Sequence, residues 1–121
     1  MTRTRLATVW ADGCSGCHMS FLDIDERLLA LADQIDLVYS PLVDRKDFPD
    51  EVDITLVAGA ISSEGDLEKI LHIRQHTKIL ISLGDCAVTG NVPSLRNSIS
   101  TESVLRRVYL EPDLLNPVVP V

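Results

Sequence analysis

Two rhythms alternate along this chain: short apolar blocks, and stretches in which apolar residues recur every three or four positions. The first block, Leu6-Ala7-Thr8-Val9-Trp10-Ala11, stops at Asp12-Gly13. A short, continuous apolar run of this kind is the pattern of a buried parallel strand. After it, Phe21, Ile24, Leu28, Leu31 and Ile35 form one stripe while Asp23, Asp25, Glu26, Arg27 and Asp33 face elsewhere, which predicts one long helix. Asp23 and Arg27 stand four apart on it, a stabilising spacing. Leu37-Val38-Tyr39-Ser40 reads as a second strand, ended by Pro41. The charged segment Asp44 to Asp53, with Pro49 in it, reads as a loop with room for one helical turn.

The third strand is Ile54-Thr55-Leu56-Val57-Ala58, closed by Gly59-Ala60. Ser62-Ser63-Glu64 then opens a helix to about Gln75, with Leu67, Ile70, Leu71 and Arg74 at helical spacing. The fourth strand, Lys78 to Leu83, runs directly into Gly84-Asp85-Cys86. A loop holding Gly90, Asn91 and Pro93 precedes a short helix from Thr101 to about Leu110. This alternation predicts an α/β fold: a flavodoxin-like open parallel sheet with helices on both faces, forming a single domain over 1–121. Four strands are visible. A fifth is expected near Asn116–Val121 and is missing.

Composition narrows the class without changing it. With 121 residues, 45% hydrophobic and 24% charged, the chain is an ordinary soluble domain. A net charge of −7 and a pI of about 4.7 leave no footprint for nucleic acid. Basic residues are scattered as Arg3/Arg5, Arg45/Lys46 and Arg106/Arg107. No apolar run approaches the roughly 20 residues of a membrane span, and the first residues do not form a signal peptide. Three cysteines, an odd number, fit a reducing compartment, so a cytoplasmic location is expected. There is no P-loop, Gly-x-Gly-x-x-Gly or Ser-His-Asp order, which argues against hydrolysis and ATP use.

The chemistry gathers at the cysteines. Cys14 and Cys17 lie in Asp12-Gly13-Cys14-Ser15-Gly16-Cys17-His18, and Cys86 lies in the turn after the fourth strand. In an open α/β sheet, ligands bind beyond the carboxyl ends of the strands where the strand order reverses. The turns after strands one, three and four should therefore meet there. A helix starting after Cys17 would add amide donors and a positive dipole end. An iron–sulfur cluster is the favoured reading, although it asks for four ligands and the chain offers three cysteines. Competing readings are a thioredoxin-type dithiol oxidoreductase using Cys14 and Cys17, zinc held by Cys14, Cys17, Cys86 and His18, and three small buried hydrophobes. FMN in a flavodoxin-like crevice is a further alternative. His18 is expected to serve the surface or the packing, and His72 and His76, four apart on a helix, the surface.

The segments Ala11-Asp12-Gly13-Cys14-Ser15-Gly16-Cys17-His18-Met19-Ser20-Phe21-Leu22-Asp23 and Gly84-Asp85-Cys86-Ala87-Val88-Thr89-Gly90-Asn91-Val92-Pro93 resemble the two cysteine motifs that open the small subunit of [NiFe] hydrogenases. Order and spacing agree from about Thr4 to Val121. The Ser-Phe-Leu-Asp continuation resembles most the cytoplasmic, NAD-reducing (bidirectional) type. The related quinone-reductase subunit with a tandem Cys-Cys motif is a worse match, because Gly13-Cys14-Ser15 has no such pair.

The resemblance implies an electron-transfer subunit with one proximal [4Fe-4S] cluster held by Cys14, Cys17 and Cys86. Its implied partners are a large subunit holding the nickel–iron site and a diaphorase module with flavin, iron–sulfur and NAD-binding subunits. The family's fourth ligand sits in a Gly-Cys-Pro-Pro turn after strand five, which this sequence lacks. A missing strand and a missing ligand in the same place lead us to expect a sequence without the family's C-terminal segment. The family's frequent Glu after strand three is replaced here by Ala58.

Overall fold

In the computed structural model, which describes residues 3–112 and 115, four parallel strands form one sheet. They are β1 (Thr4–Trp10), β2 (Ile35–Tyr39), β3 (Val52–Ala58) and β4 (Thr77–Leu83), in the spatial order β2-β1-β3-β4. This is the flavodoxin-like order, with the reversal between β1 and β3. The tail 116–121, where a fifth strand is expected from sequence, lies outside the described residues.

Each face of the sheet follows from the alternation along its strands. Register pairs Thr8 with Leu56 and Val9 with Val57 across β1 and β3, and Thr55 with Leu80 across β3 and β4. One face therefore carries Val9, Val57 and Leu80. The helix α3 (Glu64–Gln75) covers it, burying Ile73 at 1% exposure against Val9 and Val57 with Ile70 and Leu80 alongside. Phe48, from the loop between β2 and β3, packs edge-on against Tyr39 at 5.2 Å and joins this core. The other face carries Thr8 and Trp10 under α1 (Gly16–Leu22). Helices thus cover both faces, as the pattern predicts. On the outer strand β4, Ile79 and Ile81 on this second face stay 55% and 40% exposed.

Four expectations are corrected. The single long helix after Cys17 is two short ones, α1 and α2 (Arg27–Ala32). Between them Asp25 takes φ 52°, a left-handed conformation that Asp tolerates better than most residues. Asp23 becomes the C-cap of α1, Arg27 opens α2, and the two form no ion pair. Ile35, the last residue of the presumed stripe, begins β2 instead. On α3 the buried position is Ile73, outside the chosen stripe, while Leu67 and Leu71 are about half exposed. The start of α3 is as predicted: Ser63 Oγ accepts from the Asp66 amide at 3.1 Å, and Asp66 Oδ2 accepts from the Ser62 amide at 3.3 Å, a variant of the capping box.

Polar bonds fix the opposite end of the sheet. Asp53, half-buried at the start of β3, accepts from the Arg5 amide at 2.8 Å and from Lys78 Nζ at 2.8 Å. The Lys78 bond, aided by the Arg5 amide, holds the Asp53 carboxyl below its ordinary range. A depressed folded value means a contribution present above the unfolded value of 3.8 and lost as pH falls through the lower folded one.

Two outcomes follow. Ile73→Ala should lower unfolding stability by about 3 kcal/mol, read from a urea midpoint shift at unchanged slope. Asp53→Asn should be less stable than the wild type at neutral pH, with the gap closing as pH falls below 3.8. A gap that persists in acid would mean that the pair contributes through packing rather than charge.

Candidate metal centre

At the carboxyl end of the sheet, the turns after β1 and β3 are tied together by backbone. Ala11 donates to Ala58 at 2.8 Å, Asp12 donates to Ala60 at 2.9 Å, and Ala60 donates back to Asp12 at 2.7 Å. These bonds form an isolated antiparallel bridge just beyond the parallel strands. Its closeness depends on Gly59, at φ 104°, where a Cβ would lie 2.7 Å from the Ala11 carbonyl carbon. Arg96, from the 3-10 segment Val92–Ser98, reaches Asp12 at 3.8 Å and the Ser62 carbonyl at 3.5 Å. Half-exposed pairs of this kind add little stability and mainly orient the turn.

The cysteines sit around this clip. Cys14 is exposed in the turn, while Cys17 and Cys86 are half-buried. Cys17 is the second residue of α1, and Cys86 is the second residue of α4 (Asp85–Thr89). Both helices are short, seven and five residues, so the dipole expected from a long helix after Cys17 is small here. The tightest contact is between Cys17 and Gly84. Gly84 has φ 90° and ψ 168°, a conformation nearly confined to glycine. A Cβ there would lie 2.1 Å from the Cys17 sulfur. Likewise, a Cβ on Gly13 would approach the Cys86 sulfur at 3.7 Å, and one on Gly16 the Cys14 sulfur at 3.3 Å. Each cysteine therefore faces a glycine, and for Cys17 and Cys86 that glycine belongs to the other cysteine's turn.

His18 takes the packing role of the two expected for it. It is 1% exposed, with Nε2 at 2.9 Å from Thr8 Oγ1 and the Trp10 ring packed edge-on at 5.4 Å. Burial pushes its imidazole below the ordinary value. Bonded to β1 in this way, it is no partner to a metal at the cysteines. No group of three or more His, Cys, Asp or Glu among the described residues stands close enough to hold one metal ion, so the four-ligand zinc arrangement is not formed. His72 is exposed and His76 less so; their rings stack at 4.3 Å and His76 reaches Asp50 at 3.3 Å. They lie at the end of α3, away from the cysteine turns.

Sequence reasoning left His18 between surface and packing, and it did not assign the clip from Asp12 to Ala60. A signal for the first existed: a buried strand that carries Thr8 needs a polar partner. For the second there was none beyond Gly59-Ala60.

Comparisons with known proteins bear on the family and the fold. A family model described as NADH ubiquinone oxidoreductase, 20 Kd subunit, matches residues 14–121. The HoxS delta subunit of the NAD-reducing hydrogenase of Cupriavidus necator is 43% identical over 108 residues, 89% of this chain and 52% of that protein. An F420-non-reducing hydrogenase subunit of Methanocaldococcus jannaschii is 42% identical over 98 residues, 80% of this chain and 34% of that protein. A chain in the crystal structure of an NAD+-reducing [NiFe]-hydrogenase in the H2-reduced state superposes with a TM-score of 0.91 at 38% identity, covering 99% of this chain and 68% of its own length. The chain spans about half the length of the first of these relatives.

Gly84→Ala should cost about 1–3 kcal/mol in backbone strain and push the Cys17 thiol out of its seat, seen as faster alkylation of Cys17. Gly65→Ala, whose added carbon meets only Ser63 Oγ at 3.9 Å inside α3, should be neutral or stabilising. Equal behaviour of the two variants would remove the Gly84 contact from the account.

The family description comes from the quinone-reductase side and the named relatives are hydrogenase subunits, which bears out the resemblance read from the two cysteine motifs; the chain belongs to the NADH ubiquinone oxidoreductase, 20 Kd subunit family.

Proposed function

We propose that this chain is the electron-transfer subunit of an NAD-reducing [NiFe] hydrogenase, with Cys14, Cys17 and Cys86 as three ligands of a proximal [4Fe-4S] cluster. The observation that carries the reading is the seat of Cys17 on Gly84. It presses the turns of β1 and β4 together and brings cysteines far apart in sequence to one end of the sheet. The donor set fits in kind: three thiols gather at one end of the sheet, and a larger side chain at Gly13, Gly16 or Gly84 would crowd the sulfur beside it. A cluster asks each cysteine for a bond to a separate iron, so the thiols need not converge on one point as they would for zinc.

A bound cluster supplies one-electron transfer. The chain's own residues do the rest. The Asp12–Ala60 bridge holds the β1 and β3 turns at fixed separation. Gly59 lets the β1 and β3 turns close on each other, and Gly84 lets backbone approach the Cys17 thiol, which favours hydrogen bonds to sulfur and a tuned potential. The remaining parts of the proposal are a large subunit with the nickel–iron site, a diaphorase module as electron acceptor, and a cytoplasmic complex. Among the described residues no helix is long and apolar enough to cross a membrane. The fourth ligand is not a cysteine of this sequence.

The dithiol alternative is disfavoured by the all-parallel flavodoxin-like sheet, because the thioredoxin arrangement needs antiparallel strands.

Cys86→Ser tests the proposal in the complex assembled with its partner subunits under anaerobic conditions. It should abolish hydrogen-dependent NAD reduction and reduce iron and acid-labile sulfide, while circular dichroism keeps the signature of the folded sheet. Full retention of that activity, or a wild-type chain that stays free of iron and cycles a Cys14–Cys17 disulfide, would overturn the assignment.

A further inference from the structure

His18 is an unusual way to fill the space beneath α1. Its ring is almost wholly buried, yet only Nε2 has a partner, and Nδ1 makes no hydrogen bond. Trp10 Nε1, on the ring packed against it, is also buried and unpaired. Two orphaned polar atoms at one contact are a local violation that an apolar side chain would avoid. Such violations concentrate where a position serves something besides stability.

What His18 does is visible from the helix it sits on. It is the buried residue of α1, a helix of seven residues with no side-chain cap at its N-terminus. Phe21 lies half-buried beside it, with ring centroids 6.4 Å apart. The attachment of α1 to the sheet therefore runs through the His18–Thr8 bond. Adjacent residues of a helix point about 100° apart, so the rotation that His18 fixes also fixes where Cys17 points. Cys17 has little tolerance, since its sulfur occupies the space that a Cβ on Gly84 would take.

We propose that His18 is a positioning residue for Cys17: hydrogen-bonded to Thr8 on β1, it sets the rotation of α1 and keeps the Cys17 thiol seated over Gly84. This deepens the cluster reading given above. It makes Thr8, nine residues from Cys17 and part of a central strand, a remote determinant of thiol presentation. A purely apolar anchor would hold the helix down without fixing its rotation, because dispersion contacts are not directional.

The test compares Thr8→Val, His18→Leu and His18→Gln in the full chain. Gln carries an amide nitrogen at the same bond count as His Nε2 and can restore the bond to Thr8. In the metal-free, reduced chain, Cys17 alkylation should rise about fivefold in Thr8→Val and in His18→Leu, the equivalent of one ordinary intramolecular hydrogen bond. The double variant should react no faster than the faster single one, because both remove the same bond. His18→Gln should return the rate close to wild type, and exposed Cys14 should not change in any variant. After reconstitution with iron and sulfide, cluster loss should follow the same ranking.

Unchanged Cys17 reactivity in Thr8→Val overturns the proposal, as does a parallel rise at all three cysteines, which would mean general loosening. Should His18→Leu fail to fold, Thr8→Val, nearly isosteric, carries the test alone. The two readings fail separately. A ranking that holds in a chain taking up no iron removes the cluster and keeps the positioning, while a cluster that binds without the ranking removes the positioning alone.

Discussion

The Cys17 sulfur lies where a side chain at Gly84 would begin, and that contact sets the distance between turns leaving two different strands. β1 and β4 are not neighbours; β3 runs between them. Their turns can meet only if the β3 turn stays low, and the bridge between Asp12 and Ala60 over Gly59 holds it there. The cysteine end is therefore a consequence of two glycine backbones in conformations that other residues adopt only under strain. Elsewhere the sheet obeys ordinary packing, with Val9, Val57 and Ile73 filling one face. The cysteine end is built from close backbone approach and the other end from side-chain bonds to Asp53.

Much of this was legible in the residues. Blocks such as Ile54–Ala58 and Lys78–Leu83 are too short for helices and apolar on both sides, so strands were the economical reading, and the element order fixed the topology. The cysteine turns follow from the rule that parallel sheets present ligand sites at their carboxyl ends. That rule places Cys86 with Cys14 and Cys17 across some 70 positions of sequence without any geometry.

Other features were hidden for physical reasons. The stripe from Phe21 to Ile35 is continuous in hydrophobicity, but Asp25 turns the backbone left-handed in its middle, and side-chain periodicity does not report φ. On α3, the choice between Leu71 and Ile73 depends on where the helix axis lies over β1 and β3, which is a tertiary fact. His18 was ambiguous because a histidine beside a cysteine can serve metal, solvent or core. Only the position of Thr8 on the covered face decides between them. Gly84 could be read as a turn residue, but its role as a seat requires knowing which thiol arrives there.

The outer strand has a different consequence, one for handling and assembly. Parallel strands are ordinarily covered on both faces, yet β4 offers Ile79 and Ile81 to solvent beside a row of backbone groups not engaged by another described strand. Such an edge is a template for pairing with any extended chain. In a cell, such an edge is most exposed to aggregation while the chain is newly made, before anything pairs with it. At the bench, the same edge makes protein concentration a variable to hold low when the chain is handled alone.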